Sequence, residues 1–146
     1  MLKLKWFVIC RRVTTDQPTG LFSLLDCVEG MRLGITLDKA KESGFPLAVQ
    51  ADVSLAMNWK RELTDDPKFT FRLTCRMPSG ELFFQEELEG EFDLADQHSV
   101  THKTVVKMSA VQVDAPGELT FEVDVKEGDE WKLYGCQTLA VWFKDS

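Results

Sequence analysis

Asp96, His98 and His102 carry the side chains a metal ion would use, in a D-x-H-x-x-x-H run. On a strand His98 and His102 share a face but stand about 13 Å apart, at about 3.3 Å per residue. Two ligands of one zinc must each lie about 2 Å from it, so a strand cannot bring that pair together. A helix would, but Val100, Thr101, Thr104, Val105 and Val106 oppose one. The run therefore reads as two surface histidines. Glu86, Glu87, Glu89, Glu91, Asp93 and Asp96 form an acidic stretch that could offer oxygens to calcium. It lacks the D-x-D-x-D-G order of a calcium loop, and Leu88, Phe92 and Leu94 between the acids look like core anchors. Nothing singles out two carboxylates for glycoside cleavage. Neither a metal nor any other cofactor is expected.

Nucleophilic chemistry finds no better footing. Cys10, Cys27, Cys75 and Cys136 are spread along the chain without a C-x-x-C pair. Each sits in or beside an expected strand, where a free cysteine behaves as a small hydrophobe. Ser23 and Ser99 have no sign of an activating base beside them, and no nucleophile elbow, phosphate loop or dinucleotide fingerprint occurs. A catalytic role is not expected.

The remaining candidates are apolar. Phe7, Ile9, Phe83 and Trp142 fall on strand faces opposite the rows assigned to the core. They form a candidate interaction patch, to be covered by residues 31–45, by a second copy or by a partner. Exposed aromatics also serve as flat platforms for sugars, so carbohydrate or small-molecule binding is the alternative.

The elements that must carry these residues are strands. Glu118 to Lys126 alternates polar and apolar without a fault, placing Leu119, Phe121, Val123 and Val125 on one face. Pro116-Gly117 opens this run and Glu127-Gly128-Asp129 turns it towards Trp131 and Leu133, with a last strand over Leu139 to Phe143. Leu2 to Arg11 and Leu21 to Val28 read as two further strands, with Leu4, Trp6, Val8 and Cys10 in one row. Residues 31–45 read as a short helix capped by Asp38 and ended by Gly44, or as a loop. Leu47 to Trp59 is the longest alternating run. Phe69 to Cys75, Leu82 to Leu88 and Ser99 to Val113 complete the set, the last slipping near Ser109-Ala110. About eight strands with little helix predict an all-β, antiparallel β-sandwich of seven to nine strands, one domain over residues 1–146. A closed barrel is the alternative.

A net charge of −7 argues against a nucleic-acid partner, which usually meets a basic patch. The run Trp6 to Cys10, followed by Arg11-Arg12, is too short for a signal peptide, and nothing approaches a membrane span. No membrane association and a cytoplasmic location with reduced thiols are the expectations.

The order of marks is informative as well. Cys10 ends a first strand, Gly20-Leu21-Phe22-Ser23-Leu24-Leu25 follows, and Phe45-Pro46 opens a long strand. Ser79-Gly80-Glu81 separates two strands, and Pro116-Gly117-Glu118-Leu119-Thr120-Phe121-Glu122-Val123 stands near the end. In these marks the chain resembles a family of small, uncharacterised, mostly bacterial proteins catalogued as a domain of unknown function. The resemblance implies a cytoplasmic β-sandwich with no assigned activity. The expectation for function is a non-catalytic interaction or scaffold module, binding a protein partner or itself through a sheet face.

Overall fold

The structure, a computed structural model, describes residues 1–15, 22–92 and 100–145. The alternating runs become β1 (Lys3–Thr15), β2 (Phe22–Cys27), β3 (Gly30–Thr36), β4 (Leu47–Lys60) and β5 (Lys68–Arg76). They continue as β6 (Leu82–Glu91), β7 (Thr101–Val113), β8 (Gly117–Glu127) and β9 (Glu130–Lys144), with one helix, α1 (Leu37–Ser43). Two sheets pack face to face: a four-stranded sheet in the order β2-β1-β4-β7 and a five-stranded sheet in the order β3-β9-β8-β5-β6. The predicted all-β sandwich is the fold found.

Strand β8 shows why the alternation was readable. It lies inside its sheet between β9 and β5, so one face meets the core and the other does not. Leu119, Phe121 and Val123 are fully buried and Val125 nearly so, whereas Glu118 and Lys126 are exposed. Gly128 makes the β8–β9 turn at a φ of 63°, where a side chain would be strained. Beyond it β9 runs unbroken from Glu130 to Lys144, joining the two strands expected there.

Bulges set the faces elsewhere. Leu4 pairs with Trp59 but Trp6 pairs with Asn58, which leaves Lys5 as an extra residue in β1. An extra residue reverses which side the following side chains take. Leu2 and Leu4 before the bulge, and Phe7 and Ile9 after it, therefore pack on the same core. In β4 a second bulge falls at Ala51-Asp52, opposite Ser109, where the β7 pattern slips.

Residues 31–45 hold both a strand and a helix. β3 pairs with β9 in parallel, the one parallel pairing among the described residues. The Thr36 hydroxyl accepts from the Lys39 N–H at 3.3 Å and caps α1 two residues before Asp38, which stands in the first turn instead. Gly44 ends the helix, its N–H bonding back to the carbonyls of Ala40 and Lys41. The helix follows β3 at the edge of the five-stranded sheet and leaves Trp142 54% exposed.

An aromatic cluster closes one end of the core. Trp59 is fully buried, with Phe69 and Phe71 at ring-centroid distances of 4.8 and 5.3 Å. Such ring pairs add about 0.5–1.5 kcal/mol each beyond the area they bury. Phe69 lies over Gly90 of the edge strand β6, where a β-carbon would stand 2.2 Å from its ring. Along that edge Glu87 pairs with Arg72, Glu89 with Thr70 and Glu91 with Lys68, which places the three glutamates in the outward row.

Candidate functional site

The four patch residues do not meet. Phe7 and Ile9 are 6% and 4% exposed and point into the sandwich, because the Lys5 bulge turns their row inward. The five-stranded sheet covers them: the Gln137 side-chain amide donates to the Phe7 carbonyl at 2.8 Å, and Phe7 lies beside Gly135. Phe83 is half-buried in β6, and Trp142 stands on β9, with β5 and β8 between them in the same sheet. The Trp142 ring lies over Gly30 of β3, filling the place of a side chain there. Residues 31–45 do not provide the cover expected for Trp142.

The same bulge turns a different row outward. After Lys5, the residues of β1 facing away from the core are Trp6, Val8, Cys10 and Arg12. Beside them on β4 lie Ser54, Ala56, Asn58 and Lys60, and beside those on β7 lie Lys107, Val105, Lys103 and Thr101. Trp6, Val8 and Val105 are half-buried, and between them Ala56 is fully buried although it lies on the outer surface. The centre of this face is thus a close-packed apolar strip. Lys3, Lys60, Lys103, Lys107 and Arg12 surround it, and none of these rows carries an acidic residue. In a chain of net charge −7, a face of one positive sign is a segregated one.

Most titratable groups with shifted pKa values lie off this face, Cys10 being the exception. Cys10 and Cys27 are cross-strand neighbours in β1 and β2, and all four cysteines are free thiols. The Cys10 thiol donates to the Ser54 carbonyl at 3.7 Å, and burial and Cys27 push its pKa up. Burial raises the Cys75 thiol to about 12. His102 is half-buried on the inward row opposite Trp59, with Phe92 and Phe69 at 5.8 and 6.0 Å, rather than at the surface. Burial lowers its pKa and favours the neutral ring. Its suggested companions Asp96 and His98 lie outside the described residues, as do Asp93 and Ser99. Among the described residues, no three His, Cys, Asp or Glu side chains converge on one point. On the other sheet the Tyr134 hydroxyl donates to Glu127, which Lys132 and that hydroxyl hold below its usual pKa. The Arg72 guanidinium stacks on Trp131 at 4.5 Å and reaches Asp124 at 3.5 Å. These contacts tie β5, β8 and β9 together and leave no side chain aimed at a ligand.

The outward row was not legible because two side chains of equal hydrophobicity alternate along β1. Trp6-Phe7-Val8-Ile9 gives no sign of which pair is inward unless the bulge is known. The surviving signal is Lys3 and Lys5, polar on both sides of Leu4, where strict alternation into Trp6 and Val8 breaks down.

No helix among the described residues is long and apolar enough to cross a membrane. No curated protein sequence matches the chain. Residues 5–133, running from the β1 bulge through most of both sheets, match the family of unknown function DUF6941, and the chain belongs to that family.

Proposed function

We propose that the protein is a non-catalytic interaction module that binds an acidic-rimmed protein partner on the outward face of its four-stranded sheet. The observation that carries this reading is the strip of Trp6, Val8, Ala56 and Val105 on three adjacent strands, ringed by cations in rows that carry no acid among the described residues. An apolar centre inside a charged rim is the usual anatomy of a protein interface, and tryptophan is prominent among its energetic anchors. The charge selects the occupant. A second copy docking by two-fold symmetry would bring Lys103 and Lys107 against their own counterparts, which like-charge repulsion opposes. An acidic partner meets the same face favourably. The patch expected from sequence to join two copies loses Phe7 and Ile9, which are buried, and keeps Trp142 exposed on the other sheet. Free thiols at Cys27 and Cys136, both exposed, suit the reducing cytoplasm as the setting.

A photo-crosslinking residue placed at Val8, and a control at Thr138 on the other sheet, test this in cells of the source organism. A protein adduct from position 8 alone is expected. Its yield should fall at least about tenfold when Trp6→Ser and Val105→Ser remove the anchors. An adduct of twice the chain's mass, a nuclease-sensitive adduct, or equal adducts from both positions would overturn the reading.

A further inference from the structure

At the end of the sandwich opposite the aromatic cluster, β3 of one sheet and the first half of β4 in the other border an open cleft of about 1270 Å³. That exceeds the roughly 300–1,000 Å³ of most small-ligand sites. Its deep wall is aliphatic, formed by Val13, Met31, Leu33, Val49, Val53 and Leu139, while Gln50, Asp52, Ser54 and Ser109 make the rest of the lining polar. They include buried core residues such as Leu33, Val53 and Leu139, so the cleft reaches the core of the sandwich.

One wall residue breaks the apolar pattern. Arg11 follows Phe7 and Ile9 in the inward row of β1 and precedes Val13. It lines the cleft and remains exposed, where Phe7, Ile9 and Val13 of its row are apolar. Arg12, Arg32 and Lys107 stand on the rim, and Asp52 is the single acid in the lining. None of the four cations takes part in an ion pair among the described residues. A guanidinium beside an aliphatic wall, in no ion pair among the described residues, is a seat for an anionic head whose apolar body lies along the trough.

We infer that this cleft binds a free, single-chain aliphatic carboxylate, with its chain along Leu33, Val49 and Val53 and its head on Arg11. The deep aliphatic wall favours a chain over a sugar, since among the described residues the lining holds no aromatic ring for stacking. The cleft shares Arg12, Ser54 and Lys107 with the protein-binding face, but the chain and head contacts at Leu33 and Arg11 point inward while Trp6 and Val105 point outward.

Titration calorimetry with laurate, below its micelle concentration, tests the site against dodecanol and decanoate. Laurate should bind saturably at one site, at least about tenfold more tightly than dodecanol. Each methylene lost should weaken binding by up to about fourfold. Arg11→Gln, at an exposed position where the fold does not depend on it, should remove the preference for laurate over dodecanol without lowering the melting temperature. Ala51→Trp, which fills the trough, should weaken both ligands. Equal affinity for laurate and dodecanol in the parent, no saturable binding, or affinities unchanged in both variants would overturn the inference. Uptake only from phosphatidylglycerol vesicles and not of free laurate would assign the surface to membrane lipid and also overturn it.

Discussion

Cys10 and Cys27 face each other across β1 and β2, yet they live in different surroundings. Cys10 is fully buried and bonded to the Ser54 carbonyl, while Cys27 is exposed. Cys75 and Cys136 divide in the same way, with Cys75 buried in the core and Cys136 exposed. Because the thiolate is the reacting species, both burial and a raised pKa slow attack on a disulfide reagent. In native protein an aromatic disulfide reagent should therefore titrate two thiols. Cys27 reacts first and Cys136 more slowly, since desolvation and the Glu122 carboxylate raise the Cys136 pKa. Denaturant should bring the count to four. A total of two in denaturant would mean that Cys10 and Cys27 are joined.

The strands show how one residue can redirect a whole row. Deleting Lys5 removes the β1 bulge and leaves Leu4 and Phe7 inward and Trp6 outward, so each side chain keeps its side. Stability of that variant should fall within about 1 kcal/mol of the parent by urea unfolding. Deleting Val8 instead reverses every residue on one side of the gap relative to the core. It should cost several kcal/mol, about the scale of losing a large core side chain. If both deletions cost the same, the bulge is not what sets the faces. This also marks the limit of the sequence reading. The faces of β8 and of β4 from Val53 to Trp59 follow from alternation alone, because each of those stretches is free of extra residues. The β1 faces do not, because Leu4, Trp6, Phe7 and Ile9 are all apolar and only tertiary pairing says which are inward. β3 was hidden for another reason. Its parallel pairing with β9 joins residues more than a hundred apart in sequence, and Arg32 and the two glycines of Gly30-Met31-Arg32-Leu33-Gly34 read as loop. The candidate site went unread with β1, since Arg11-Arg12 looks like the polar end of a strand until the cleft is seen.

Taken whole, the molecule distributes its charge by sheet. The cations of the four-stranded sheet gather on its outer face, while an excess of acids lies on the other sheet and its β6 edge. Glu87, Glu89 and Glu91 stand on β6, which ends its sheet and leaves one side unpaired among the described residues. Such an edge invites another copy to add a strand, and closely spaced like charges are one way proteins prevent it. Here three glutamates spaced two residues apart put like charges where an added strand would pair. They sit beside a strand that also carries Leu82, Phe83, Phe84 and Leu88, apolar enough to propagate a cross-β stack. Replacing Glu87, Glu89 and Glu91 together with glutamine should leave the sandwich folded. It should also turn a clear, monodisperse solution into one that scatters light and binds thioflavin within hours to days. A triple variant that stays monodisperse at the same concentration would show that the edge is protected by its shape. Any engineered version of this scaffold would then be free to spend those three positions on something else.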